Sequence, residues 1–406
     1  MNKIELLAPA KDLAVGIAAI NCGADAVYVG ADRFGARDAA GNSLDDIAWL
    51  TDYAHKYWAK VYVTLNTILF DNEIPSALKL ISRLYNLGID GLIIQDVGLL
   101  EHDLPPIPLI ASTQMHNDSA EKIQFLEKIG FHRVILAREL NFDEIQKIRQ
   151  HSTIELEFFI HGALCVCYSG QCYLSYAIGG RSGNRGQCAQ PCRRSYSLLD
   201  RKGNTLTADR YLLSLKDLNL SDHLEKLIQA GIASFKIEGR LKDKFYVMNV
   251  VGHYRKLLDV LMNKLALTKN SSGEVTFDFT PDPSKSFNRG FTKYFVNGRG
   301  ENIAAIDSPK SIGEPIGKVV TVANQYFTID AEKNFTSGDG ICFFDDEHLE
   351  GTFVNQALGN KIYPDKMKSI KPGAMIYRNH DQAFIRQLEN SKTSRKISVK
   401  LQFNEN

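Results

Sequence analysis

The sequence predicts a (β/α)₈ barrel followed by a small all-β barrel-like domain, and three observations carry that expectation. Short β-rich runs alternate with stretches of helical period through residues 1–265. After Lys264 the alternation stops; the chain turns polar and then breaks into short strands with glycine turns. At 406 residues the chain also exceeds one ordinary domain.

The expected barrel strands are Ile4–Ala8, Ala26–Gly30, Lys60–Asn66, Gly91–Gln95, Leu109–Thr113, Arg133–Arg138, Ile154–His161 and Ser234–Glu238. Helical patterns fall between them at Ser43–Tyr57, Ile74–Leu87, Ser119–Ile129 and Phe142–Gln150. Eight strands with intervening helices favour a closed barrel over an open sheet. Residues 163–214 form a long insertion after the seventh strand.

Period-two alternation assigns the strand faces. Lys236 and Glu238 share one face of the last strand; Glu157, Phe159 and His161 share one face of the seventh; Tyr62, Thr64 and Asn66 share one face of the third. A barrel strand buries its apolar face under the helices, so these mainly polar faces are expected in the lumen. Barrel enzymes keep their chemistry at the C-terminal strand ends. The competing reading is a set of satisfied polar layers that plug the lumen.

Beyond the barrel, residues 266–311 read as a linker with an aromatic and basic segment, including Phe287, Arg289, Phe291, Tyr294 and Arg299. Residues 312–385 read as the small β domain, with strands at Gly317–Val322, Tyr326–Ile329, Gly340–Phe344 and Ala374–Tyr377. Residues 386–406 read as a tail in which Lys396–Phe403 opens a further domain that is cut short.

A net charge of +1 supplies no whole-molecule field for nucleic acid, so any RNA contact requires a local patch. No apolar run approaches a membrane span, and Met1–Asp12 holds no secretory core. A cytoplasmic, reducing location is expected, which disfavours structural disulfides.

Against that background the cysteines stand out. Cys22 and Cys342 are isolated, whereas Cys165, Cys167, Cys172, Cys188 and Cys192 crowd one stretch. Such clustering in a reducing compartment points to metal binding or catalysis. Four thiolates suit tetrahedral zinc or an iron–sulfur cluster. Cys188 and Cys192 supply one pair, Cys165 and Cys172 the other across a glycine-containing loop, and Cys167 is the spare. The spacing does not match the CxxC pairs of zinc ribbons. Arg181 and Arg185, within Gly179–Gly186, join Arg193 and Arg194 in a basic rim.

Glu157-Phe-Phe-Ile-His161-Gly-Ala-Leu-Cys165 and Gly170-Gln-Cys172-Tyr-Leu-Ser175 resemble the signature of the collagenase-like peptidase family of unknown catalytic type, number thirty-two. Ile4–Ala10, Gly23–Gly30 and Ser234–Arg240 are similar to further blocks of that family, and the resemblance covers roughly residues 3 to 300. It implies a group whose better-understood members hydroxylate RNA bases or ubiquinone precursors without molecular oxygen. By motif it implies a [4Fe–4S] cluster on Cys165, Cys172, Cys188 and Cys192, with prephenate required in the RNA branches. Gly180–Arg193, Leu213–Leu218 and Lys285–Phe291 are most similar to the ribosomal RNA branch, which makes 5-hydroxycytidine; the transfer RNA branch, which makes 5-hydroxyuridine, is the alternative.

Prephenate would bring two carboxylates, for which Arg138 and Arg240 are the candidate forks. Asn66 and Gln114, beside strand ends, are further candidate substrate contacts. His161, Lys236 and Glu238 are the candidate proton-transfer groups. The electron donor stays unassigned. A peptidase, as the family name says, would need a zinc motif such as HExxH or a cysteine with an activating histidine. No HExxH occurs, and only Cys165 has a histidine, His161, nearby in sequence.

Overall fold

The computed structural model describes residues 3–36, 41–331, 333–346 and 348–403. Strands β1 (Lys3–Ala10), β2 (Ala26–Ala31), β3 (Lys60–Leu65), β4 (Gly91–Ile94), β5 (Leu109–Ala111), β6 (Arg133–Ile135), β7 (Glu155–Gly162) and β8 (Ile232–Ile237) run parallel. The circle closes through β8, which pairs with both β7 and β1. All eight expected strands are present, and the fold is the expected TIM-like barrel with a second, smaller barrel.

Their near-continuous apolar runs reflect burial on both faces, under helices outside and against one another within. The helices α1 (Leu13–Asn21), α2 (Leu44–His55), α3 (Ile74–Asn86), α4 (Ala120–Lys128), α5 (Phe142–His151), α6 (Leu174–Gly179), α7 (Leu224–Gln229) and α8 (Lys244–Leu265) follow in order. Local signals start them. Asp12 accepts from Val15 N at 2.9 Å, and Asn141 with Glu144 forms a reciprocal capping box on α5. The fourth crossover differs from the ideal barrel: the short 3₁₀ turn Val97–Glu101 replaces a helix there.

The second barrel comprises β9 (Glu314–Val322), β10 (Phe327–Asp330), β11 (Gly340–Asp345), β12 (His348–Leu358), β13 (Lys361–Pro364) and β14 (Met375–His380), closed in the order β9-β10-β13-β12-β11-β14. Its core, around Phe327, Phe343 and Ile376, is separate from that of the large barrel. Strands β12 and β13 escaped the sequence reading: Gly351 interrupts β12, and its exposed positions mix polar residues with Phe353 and Leu358, so no clean alternation shows.

Two expectations are corrected. Residues 266–311 are not a free linker. Thr268–Lys269 adds in parallel to β1, Phe291–Thr292 pairs with Asp217–Asn219, and Phe279, Tyr294 and Val296 are buried in the large core. The polar and proline-rich letters hid aromatic anchors spaced among them. The strand expected at Lys396–Phe403 is instead Ser394–Lys396, and it pairs back on Glu274–Thr276. Arg395 is drawn inward, donating to the carbonyls of Ala24 at 2.8 Å and Ile20 at 3.1 Å. Between these strands, helix α9 (Gln382–Glu389) packs Phe384 and Leu388 into the large core and joins the two barrels.

The lower lumen is filled by a buried ion layer. Arg133, fully buried, meets the carboxylates of Glu5, Glu155 and Glu157. Glu157 also accepts from Lys236 Nζ at 2.8 Å, and Glu5 accepts from the Tyr62 hydroxyl at 2.9 Å. Burial alone would raise the Glu5 pKa; the Arg133 charge and its hydrogen bond outweigh this and pull it down to about 2. A folded pKa below the unfolded one contributes stability above the unfolded carboxylate range and loses it as pH falls towards the folded value. Thermal unfolding followed by circular dichroism should therefore show Tm dropping as pH is lowered from about 4.5 towards 2. Arg133→Met, which strands Glu5 and Glu157, should lower stability by about 3–5 kcal/mol, and an unchanged Tm would show that the layer is not ionised.

A candidate active site at the barrel mouth

Above the ion layer the C-terminal strand ends enclose a small polar pocket of about 50 Å³. Asn66, Gln114, Arg138, Lys236, Glu238 and Arg240 all line it, so six of the residues chosen from sequence meet there. Arg138 Nη2 pairs with Glu238 Oε2 at 2.8 Å, and its guanidinium lies 4.0 Å from the Phe159 ring centroid. Arg240 Nη1 donates to Thr64 Oγ1 at 2.7 Å. Asn66 accepts from Ala36 N at 3.0 Å and reaches Ser112 Oγ at 3.2 Å. Lys236 bridges the two layers: its ammonium holds Glu157 from above and sits 4.4 Å from the Tyr28 ring centroid. Burial lowers its pKa, and Glu157 opposes that shift.

His161 is not part of this group. Between Lys236 and Ile237 the pairing with β7 slips by one residue, so Ile237 lies opposite His161. A bulge of this kind resets the alternation on which the lumen assignment rested. The imidazole instead packs among Tyr246, Tyr254 and Phe291, with Nδ1 3.2 Å from the Tyr254 hydroxyl on α8. Burial first, then His253 and Lys242, depress its pKa to about 3. It is a neutral ring at physiological pH, outside both cavities.

The insertion after β7 folds over the mouth and forms a larger cavity of about 410 Å³. Cys165, Cys167, Cys172, Cys188 and Cys192 all border it. Thr113, Gln114 and Arg138 border both cavities, so the thiol chamber opens directly on the polar pocket. Arg193 staples the insertion to the barrel: its guanidinium donates to Ser214 Oγ and the Leu215 carbonyl at 2.8 Å and to the Leu164 carbonyl at 2.9 Å. Gly170 presses on the Gln114 backbone, where a Cβ would come within 2.0 Å of the carbonyl oxygen, and its φ of +72° suits glycine. Glu139 accepts from both the amide and the hydroxyl of Ser169.

The basic rim is partly spent on such tasks. Arg185 pairs with Glu73 at 2.8 Å and covers the Phe70 ring; Arg193 is a staple; Arg181 stays exposed, donating to the Gln187 carbonyl at 3.1 Å. The segment Phe287–Arg299 is likewise used internally, with Tyr294 buried and Arg289 paired to Asp217 at 3.3 Å. Glu139, Ser169, Tyr294 and Leu241 were not chosen from sequence, because long-range packing, not spacing, brings them to the chamber.

The donor chemistry of the chamber fits a thiophilic metal centre: soft thiols on one wall, with room beside them. Cys167 lies within hydrogen-bond reach of Cys165 and Cys172, which with its burial raises its pKa. Cys192 is raised by burial and by Cys165, Cys188 and Cys172, the other three of the expected ligand set. Among the described residues no three His, Cys, Asp or Glu side chains are already gathered at metal-binding distance. Metal-free protein titrated with an aromatic disulfide reagent should show Cys165 and Cys188, which are exposed, reacting first, the partly buried Cys167, Cys172 and Cys192 more slowly, and the buried Cys22 and Cys342 last. Slow reaction at Cys165 and Cys188 would contradict the open chamber.

Comparison with known proteins places these features in a family. The model of peptidase family U32 matches residues 11–305. The chain is 45% identical over 411 residues to a 23S rRNA 5-hydroxycytidine C2501 synthase of Escherichia coli (strain K12), covering 99% of this chain and 63% of that protein. It thus spans less than two thirds of that relative's length. A tRNA hydroxylation protein P1 of Bacillus subtilis (strain 168) is 33% identical over 399 residues, covering 93% of both chains. A collagenase of Porphyromonas gingivalis (strain ATCC BAA-308 / W83) is 33% identical over 282 residues, covering 65% of this chain and 67% of that one. With a matched span that takes in seven of the eight barrel strands and the whole cysteine insertion, the chain belongs to peptidase family U32.

Proposed function

We propose that this chain is an RNA-modifying enzyme that hydroxylates a pyrimidine base without molecular oxygen, with cytidine of large-subunit ribosomal RNA as its target. The observation that carries the reading is the 45% likeness, along 99% of the chain, to a protein named for 5-hydroxycytidine synthesis in 23S rRNA. The cavities agree with it. An enzyme that modifies a base must take the base out of its stack. The lumen pocket of about 50 Å³ is too small for a pyrimidine, whereas the thiol chamber of about 410 Å³ is in the range of small-molecule sites.

The base then belongs in the thiol chamber, with Arg138 and Gln114 at the boundary where polar groups reach it. Cys165, Cys172, Cys188 and Cys192 are the residues that would hold a [4Fe–4S] cluster, which supplies one-electron redox chemistry when bound. Prephenate as co-substrate would place a carboxylate on Arg138, the one arginine of the predicted pair that borders both cavities; Arg240 lies deeper, in the lumen pocket alone. Such a carboxylate competes with Glu238 for the Arg138 fork, so Glu238 is the group placed to take up a proton as the pair opens. Lys236 holds the floor beneath through Glu157.

A transfer RNA target is the second reading, favoured by the end-to-end coverage of the Bacillus subtilis relative. The Cys165–His161 pair that a cysteine peptidase could use is not formed, because His161 bonds the Tyr254 hydroxyl outside the chamber.

Protein purified without oxygen should carry iron and acid-labile sulfide, lost on replacing Cys165, Cys172, Cys188 or Cys192 by Ala and kept in Cys167→Ala. Stoichiometric zinc in place of iron would overturn the cluster. Cells lacking their own enzyme and supplied with this protein should regain 5-hydroxycytidine in ribosomal RNA by nucleoside mass spectrometry. Appearance of 5-hydroxyuridine in transfer RNA instead would move the target to the second reading. Arg138→Lys should lower modification at limiting prephenate by about tenfold or more, at ~1.4 kcal/mol per factor of ten, because an ammonium cannot reproduce the fork.

A further inference from the structure

We propose that the cleft between the two barrels holds the phosphate backbone of the RNA next to the modified nucleotide, with Lys242 as its inner phosphate contact. The inference rests on the RNA reading above and extends it to a surface outside the catalytic chamber.

The cleft has a volume of about 320 Å³ and lies where α8, the segment around Lys285 and helix α9 meet. Lys11, Lys242 and Lys285 supply its cationic side, and Phe287 and Phe384 its apolar side. Leu241, exposed at the barrel mouth, borders both this cleft and the thiol chamber. One continuous surface therefore runs from the base-sized chamber, over Leu241, into the cleft. A nucleotide placed in the chamber leaves its flanking backbone on that path.

Lys242 differs from Lys285 and Arg289 beside it. Lys285 is neutralised by Asp381 at 2.7 Å, and Arg289 by Asp217. The carboxylate of Asp243 is occupied at the start of α8, where it accepts from Tyr246 N at 2.8 Å. The half-buried ammonium of Lys242 sits 3.4 Å from the Phe287 ring centroid and 5.1 Å from that of Tyr246. Among the described residues it has no carboxylate within ion-pair distance. Burial, together with Arg289, lowers its pKa to about 8, so it remains largely protonated at neutral pH. A cation held on aromatic faces and lacking a counter-ion is a ready partner for an incoming anion. A groove that pairs such cations with ring faces and leads away from a base pocket fits single-stranded nucleic acid, which binds through phosphate contacts and stacking.

The test is fluorescence anisotropy of a labelled single-stranded RNA oligonucleotide with the full chain, titrated over a range of potassium chloride concentrations. Lys242→Met, which keeps an unbranched apolar stem over Phe287, should weaken binding by about tenfold and reduce the slope of log affinity against log salt by about 0.7, as for one lost phosphate contact. Lys242→Arg should bind within about twofold of the unsubstituted protein. Lys11→Met, on the exposed rim, should lose less than Lys242→Met. Unsubstituted protein that binds the RNA while Lys242→Met binds equally tightly, with the same salt slope, overturns the cleft and leaves the RNA reading standing. Equal losses in Lys242→Arg and Lys242→Met also overturn it, since a contact to charge would survive the first. Unsubstituted protein that fails to bind RNA at any salt concentration sinks both.

Discussion

The arrangement depends on one buried electrostatic constraint: Arg133 and Lys236 holding Glu5 and Glu157 together across the lumen. These groups come from strands β1, β6, β7 and β8, so the layer ties together the region where the barrel closes. Removing two carboxylates and two cations from water is costly, and their mutual attraction offsets that only with tight geometry and further hydrogen bonds. Ser234 and Tyr62 provide those bonds. The result is a rigid floor. Phe159 and Lys236 stand on it, and the Arg138–Glu238 pair stands over Phe159. Both readings of the polar strand faces hold, at different depths: a satisfied plug below and an open pocket above.

The mouth is organised by a second constraint, the tethering of an insertion with little core of its own. Leu198, Leu199 and Leu206 of its hairpin are exposed, and the hold on the barrel comes from polar bonds. Arg193 grips three acceptors, Glu139 grips Ser169, and Gly170 allows the backbone to touch Gln114. Polar tethers of this kind fix where a loop sits while leaving its tip free to adjust. That suits a wall of thiols which face one chamber but have not converged at metal-binding distance.

The sequence made the barrel legible because each strand is a short apolar run between helical patterns, and it made the cysteines legible because their clustering needs no tertiary information. Six pocket residues were also readable: Asn66, Lys236 and Glu238 from period-two alternation, and Gln114, Arg138 and Arg240 from their place beside strand ends. His161 was misplaced because a one-residue slip between β7 and β8 leaves no trace in the letters. Residues 266–311 were misread for a related reason. Their polar and proline-rich composition describes the outward side, whereas Phe279, Tyr294 and Val296 do the packing. The arginine rim shows the limit of charge counting: Arg185 and Arg193 are cationic by sequence but are committed to Glu73 and to backbone carbonyls.

On the RNA reading, a nearly neutral protein must meet a polyanion through local charge. With a net charge of +1, attraction cannot come from the total; it must come from cations whose charge is not already spent within the fold. At the mouth most of them are spent. Arg138 faces Glu238, Lys236 faces Glu157, Arg289 faces Asp217 and Lys285 faces Asp381. Lys242 is held against rings instead, two residues beyond Arg240 and at the border of the cleft. On the RNA reading, Lys242 then acts where the strand must pass, and the exposed Arg181 stands on the chamber side to meet the nucleotide itself.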